Sequence, residues 1–231
     1  MKADFESRFA GGAFIAAALM LAFGWILLPV HIGTYFAPDV FPQIQGHFHF
    51  WIWMYRIYLF GLITSVIAFF AVAALVANSP SRVLVWPGAA VASAGMIVSA
   101  LAAAFYYHHG AWGTLKLAGA SPEAAQAFVN DLRVDTEYVT CLVRFGRVFG
   151  GLGLVVFAWG ILRYGILPRW NGVLAGFIGL TAMALTMGLP DQLSYYMPVF
   201  YALVFWQFAM GIVIWRSGIN LNSSPTSSRT P

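Results

Sequence analysis

The sequence predicts an all-α polytopic membrane protein, a bundle of six transmembrane helices with its N-terminus and C-terminus both cytoplasmic. Three observations carry this. Of 231 residues, 61% are hydrophobic and only 9% are charged, whereas soluble domains carry about one quarter charged residues. Six apolar runs are long enough to span a membrane, since a helix needs about 20 residues to cross a hydrocarbon core of roughly 30 Å. Finally, basic residues collect on one side of the resulting topology. Lys2, Arg8, Arg82, Arg163, Arg169, Arg216 and Arg229 fall on that side, against Lys116 and Arg133 on the other, and an excess of Lys and Arg marks the cytoplasmic loops.

The runs cover residues 10–30, 50–77, 84–107, 137–163, 170–189 and 196–216. Lys2 and Arg8 before an apolar run also describe a signal peptide. This run, however, leads into Leu28-Pro-Val-His-Ile-Gly and lacks a small-residue cleavage site, so it reads as a retained span. The connection over 31–49 is broken by Pro38 and Pro42. In the connection over 108–136, Ser121 is a suitable N-cap and Pro122 a suitable first helical residue, which predicts a short helix over 121–134 lying on the outer surface. The last two spans are joined through Leu189-Pro-Asp-Gln, a polar turn that cannot stay in hydrocarbon as free backbone. From Asn220 the chain is rich in Ser, Thr and Pro, which predicts a disordered cytoplasmic tail over 220–231. The single cysteine, Cys141, excludes an intramolecular disulfide and a thiolate metal cluster.

With this topology all five histidines fall on the outer side. His31 ends the first span, His47 and His49 open the second, and His108 and His109 close the third. Three arginines, Arg56, Arg144 and Arg147, lie within spans. A charge at mid-membrane costs from a few to more than ten kcal/mol, so such residues face a protein interior and have a partner. Arg56 follows His49 by seven residues, two turns and about 10 Å along one helix face. The alternative for Arg56 is snorkelling to the headgroups, with Trp51, Trp53, Tyr55 and Tyr58 as an aromatic belt. In the fourth span Glu137, Thr140, Arg144, Arg147, Gly151 and Ala158 recur at steps of three, four or seven and share a face. Gly150, Gly151 and Gly153 permit close helix contact. Glu137 is two turns from Arg144, so the counter-charge is Asp135, Asp191 or a bound anion. These residues predict an outward-facing pocket built from His31, His49, His108, Arg56, Arg144 and Arg147.

Two chemistries suit such a pocket. Imidazoles of His31, His49 and His108 can ligate copper, zinc or a haem iron, with Arg56, Arg144 and Arg147 holding haem propionates or another anion, as in a redox or accessory subunit. Alternatively, the arginines receive an anion or a lipid headgroup in a transport or sensing module without metal. A third reading is docking of membrane partner subunits through the aromatics near 48–58 and 195–206. An inverted-repeat transporter lacks sequence support, because no internal repeat or pair of broken helices is visible. The chain contains no Gly-x-Ser-x-Gly elbow, P-loop or His-Glu-x-x-His, which removes motif support for a hydrolase, an ATPase or a zincin. Nucleic-acid binding has no basic soluble surface to act through.

The hairpin from Phe149 to Met187 has a further pattern. A Gly-rich span ends in Arg163-x-Gly165, and Leu167-Pro168-Arg169-Trp170-x-Gly172 opens the next. With Arg8-Phe-Ala-Gly-Gly before the first span, it resembles a large family of six-span bacterial membrane proteins catalogued as a domain of unknown function. The resemblance implies a six-span layout and a place in the bacterial inner membrane, and it implies no chemistry. The histidine-rich outer face departs from that family's pattern.

Overall fold

The apolar runs fold as long helices whose ends are set by local chemistry. A computed structural model describes residues 5–219; the tail expected over 220–231 and the N-terminal Lys2 lie outside the described residues. The spanning helices are α1 (Phe5–Ile26), α3 (Phe48–Leu75), α4 (Arg82–Lys116), α6 (Arg133–Tyr164), α7 (Arg169–Gly188) and α8 (Leu193–Ser217), with short helices α2 (Val40–Gly46) and α5 (Pro122–Asp131) between them. Six helices are long and apolar enough to cross a membrane. Helix α1 stops shortly before Pro29, where a following proline disfavours helical backbone. Pro42 lies in the first turn of α2, where a missing N–H is harmless, so the expected break is itself a helix. Ser121 caps α5, accepting the Ala124 N–H at 3.3 Å. A hydrogen bond from Ser121 also holds the exposed Glu123 carboxyl below its ordinary pKa. Gly165 ends α6 at φ +59°, a left-handed conformation that glycine adopts without steric cost.

Each span packs on the next in chain order, α1 on α3, α3 on α4, α4 on α6, α6 on α7 and α7 on α8, and α8 returns to α1. The spans therefore form a closed ring. Successive helices reverse direction, so α1 begins and α8 ends at one end of the ring, the terminal end. The histidines mark the opposite one, the histidine end.

Small residues let the ring close tightly. A Cβ on Gly95 would stand 2.6 Å from the Gly146 carbonyl oxygen across the α4–α6 seam, one on Gly153 would overlap the Ala92 backbone, and one on Gly151 would lie 2.6 Å from the Gly179 carbonyl of α7. The same contact recurs between α1 and α8, where Gly11 lies against the Trp215 backbone. In lipid, where no hydrophobic force draws helices together, such close approach is the main source of adhesion.

On the terminal side the ring is filled. Phe14 of α1, Phe69 of α3, Phe157 of α6 and Trp206 of α8 are fully buried and meet ring to ring. Phe69 lies 5.3 Å from Phe14 and 5.5 Å from Phe157, and Trp206 lies 6.2 Å from Phe69. The indole Nε1 of Trp206 donates to the Asn171 carbonyl at 3.1 Å, satisfying the one polar atom of this plug.

At 35 and 32 residues, α4 and α6 run about 52 and 48 Å at 1.5 Å per residue, well beyond the hydrocarbon core. Their projecting ends carry a cap. Gly113 of α4 receives Phe41 of α2 and Phe128 of α5, and Gly110 receives Trp51 of α3. Trp51 is fully buried and its Nε1 donates to the Val30 carbonyl at 2.9 Å, which ties the first loop to α3. The outward faces are apolar, as lipid requires: Phe60, Leu101, Trp159, Phe177 and Phe205 are all exposed.

Gly153→Val should drive a branched side chain into the Ala92 backbone. The expected cost exceeds about 3 kcal/mol, the upper end of core overpacking, and should appear as a lowered melting temperature in detergent. Gly46→Ala, which meets no atom within 4 Å, should leave the melting temperature within about a degree.

Candidate functional site

Above the aromatic plug the ring is not filled. A cavity of about 250 Å³ occupies its histidine-end half. Its wall is mostly apolar: Leu21 and Leu28 from α1 and the loop after it, Leu62 from α3, Met96 from α4, Leu154 from α6 and Leu203 from α8. Polar groups gather toward the mouth, where Tyr55 and Tyr58 of α3, Tyr106 of α4, Thr140 and Arg147 of α6, Asp191 of the α7–α8 turn and Tyr196 of α8 line it.

The helical stripe expected on α6 places these charges. Arg144 donates to Asp191 Oδ2 at 3.0 Å through one nitrogen and to the Thr186 carbonyl at 2.6 Å through another. Arg147, one turn deeper, lies 3.8 Å from Asp191 Oδ1, too far for a hydrogen bond. Its guanidinium carbon stacks 3.6 Å from the centre of the Tyr196 ring, a cation–π contact. The Tyr196 hydroxyl in turn donates to the Leu185 carbonyl at 3.1 Å. Of the carboxylates the sequence offered, Asp191 pairs with the arginines; Glu137, two turns from Arg144, bonds Arg133 at 3.5 Å.

Asp191 also gathers the mouth of the cavity. The Thr34 hydroxyl donates to its backbone carbonyl, and the Tyr106 hydroxyl donates to the Thr34 carbonyl at 2.8 Å. One short turn thus ties together the first loop, α4 and α6. Two guanidiniums against one carboxylate leave the site one net positive charge. Asp191 Oδ1 is buried and without a hydrogen-bond partner.

The other expected site residues lie elsewhere. His49 and Arg56 do share a face of α3, and it is the face turned outward: residues 49, 53, 56, 60, 63, 67 and 70 are all exposed. The opposite face gives Tyr55, Tyr58 and Leu62 to the cavity. Arg56 donates from Nε to the Tyr107 hydroxyl at 2.8 Å and covers the rings of Trp53 and Tyr107, the arrangement of a snorkelling residue. His31 bonds the Trp25 carbonyl at 3.0 Å and packs edge-on against its ring. His108 is exposed and packs edge-on against His109. Among the described residues no group of three His, Cys, Asp or Glu is placed to hold a metal ion. Tyr55 and Tyr58, which the snorkelling alternative for Arg56 set in an aromatic belt, line the cavity. Their signal was the i, i+3, i+7 spacing of Tyr55, Tyr58 and Leu62.

Asp191→Asn should leave Arg144 and Arg147 without a counter-charge. A fully buried pair broken this way loses about 3–5 kcal/mol. Because Arg144 is 40% exposed, about 1–3 kcal/mol is expected, read as a drop in melting temperature that Arg144→Ala made in the same background should deepen only slightly.

Comparison with known protein families, with curated proteins and with solved structures finds no match to this chain, and its function is argued from the site alone.

Proposed function

We propose that the chain is a multi-pass protein of the cytoplasmic membrane that binds a small amphipathic anion in its central cavity, as the recognition element of a transport or sensing module without metal. The observation that carries this reading is Arg147. It lines a mostly apolar cavity among the spanning helices, stacked on Tyr196 and sharing one carboxylate with Arg144. An intramembrane charge held in a cavity rather than spent in a closed pair marks a binding site. The tyrosine-lined mouth and leucine-lined base give a ligand a polar end and an apolar end, the usual division of a small-molecule site. The plug of Phe14, Phe69, Phe157 and Trp206 leaves the histidine end as the side of entry.

Orientation follows from Arg8, Arg82, Arg163, Arg169 and Arg216 at the terminal end, against Lys116 and Arg133 at the other. The positive-inside rule then directs the cavity away from the cytoplasm. A reporter active only outside the cytoplasm should stay silent when fused after Ile219 and become active when inserted after Gly119. The opposite pattern would reverse the side from which ligand enters.

Binding itself is tested by calorimetric titration of the full chain in a nonionic detergent. Hexyl sulfate should bind and hexyltrimethylammonium should not. Arg147→Gln should weaken hexyl sulfate at least about tenfold, since a hydrogen bond to a charged group contributes about 1.5–3 kcal/mol. Arg56→Gln should leave it unchanged. Equal affinities for wild type and Arg147→Gln, with both proteins folded, would remove the reading.

A further inference from the structure

Resting on that reading, we infer that the head group recognised at the cavity mouth is a singly protonated phosphoryl group, which accepts from Arg147 through an ionised oxygen and donates its remaining proton to Asp191. Two features of the site point to this together. Its net charge of one positive unit calls for a monoanion. Its hydrogen-bonding groups call for more than that: Arg147 offers donors, while Asp191 Oδ1, buried and without a hydrogen bond, asks for one. These two needs sit 3.8 Å apart, within reach of neighbouring oxygens on one tetrahedral centre.

Few head groups meet both demands. An ionised carboxylate satisfies Arg147 but presents a bare oxygen to Asp191, a like charge next to a like charge. A sulfate has the same defect at every accessible pH. A phosphate monoester has a second pKa near 6, so below that pH, as at pH 5, it retains an O–H beside an ionised oxygen. Arg144 is not needed by the ligand. It is occupied by Asp191 Oδ2 and the Thr186 carbonyl, and it fixes the carboxylate so that Oδ1 stays free.

The groups facing Asp191 are Arg144 and Arg147 from α6, Tyr106 from α4, Tyr196 from α8 and the Thr34 hydroxyl from the first loop, with Tyr55 and Tyr58 of α3 across the cavity. No histidine lines the cavity among the described residues. A pH dependence between 5 and 8 therefore reports chiefly on the ligand's proton, and hexyl sulfate, which has none to lose, measures any contribution from the protein.

The experiment is the same titration of the full chain, with hexyl phosphate, hexyl sulfate and inorganic phosphate at pH 5 and pH 8. At pH 5 hexyl phosphate should bind about tenfold tighter than hexyl sulfate, the worth of one added hydrogen bond. Between pH 5 and 8 its affinity should fall by a similar factor while that of hexyl sulfate holds. Asp191→Asn should invert the trend, because a neutral amide welcomes the dianion. The wild-type comparison stands even if that variant fails to fold.

Hexyl phosphate that binds more tightly as pH rises, or no better than hexyl sulfate at pH 5, would overturn the phosphoryl assignment and leave the anion-site reading intact. Failure of both amphiphiles to bind would overturn the reading beneath it. Inorganic phosphate binding about as tightly as hexyl phosphate would support the phosphoryl group with the free ion as its source. Binding of hexyl phosphate alone would support it with an amphiphile as the source.

Discussion

Two arginines one turn apart inside a membrane cannot be left to repel each other, and the architecture around them follows from how that repulsion is relieved. Asp191 supplies the carboxylate that pairs with both, and it lies in a turn of four residues between two spans. Holding it there requires Arg144 to bind both its side chain and the Thr186 carbonyl. It requires Thr34 to fix its backbone and Tyr106 to fix Thr34. A charge constraint on α6 thus orders loops that are distant in sequence.

The division of the ring into a plugged half and a hollow half has an equally simple origin. Glycines bring neighbouring helices into backbone contact at the α1–α8, α1–α3, α4–α6 and α6–α7 seams, but six helices in a ring leave a central space that small seam residues cannot fill. On the terminal side four large aromatic side chains fill it. On the histidine side the inward residues are leucine, methionine and tyrosine of varied reach, and a chamber remains. Filling and leaving empty are both choices of side chain on the same backbone.

Hydropathy made the six spans legible because nothing else keeps so many apolar residues in register over about 20 positions. Their ends were less so. Helix α4 continues nine residues beyond the expected end at 107, because helical hydrogen bonds persist through His108 and His109 after the apolar signal has decayed. Helix α2 was hidden by Pro38 and Pro42, read as breakers although the first turn of a helix tolerates proline. Within the site, the spacing of Arg144 and Arg147 revealed a common face, and Asp191 was one of three counter-charges it allowed. Choosing among them needed the tertiary path of the α7–α8 turn, which no local pattern encodes. The spacing of His49 and Arg56 likewise revealed a shared face of α3 without saying which way that face would turn. Periodicity fixes relative azimuth along one helix and leaves its rotation to the neighbours.

The chain-ordered ring has a consequence for how the protein is made. Each helix finds its packing partner in the one inserted just before it, so hairpins can settle as the ribosome delivers them. Among the described residues, the contact of α8 with α1 joins the first of these helices to the eighth. The chamber therefore has no complete wall until the last helix is released, and a nascent chain halted after α7 would expose Arg147 and the inner faces of α1 and α7 to lipid. Quality control that recognises polar surface in the bilayer would see every unfinished copy, and ring closure would be the step that removes the signal.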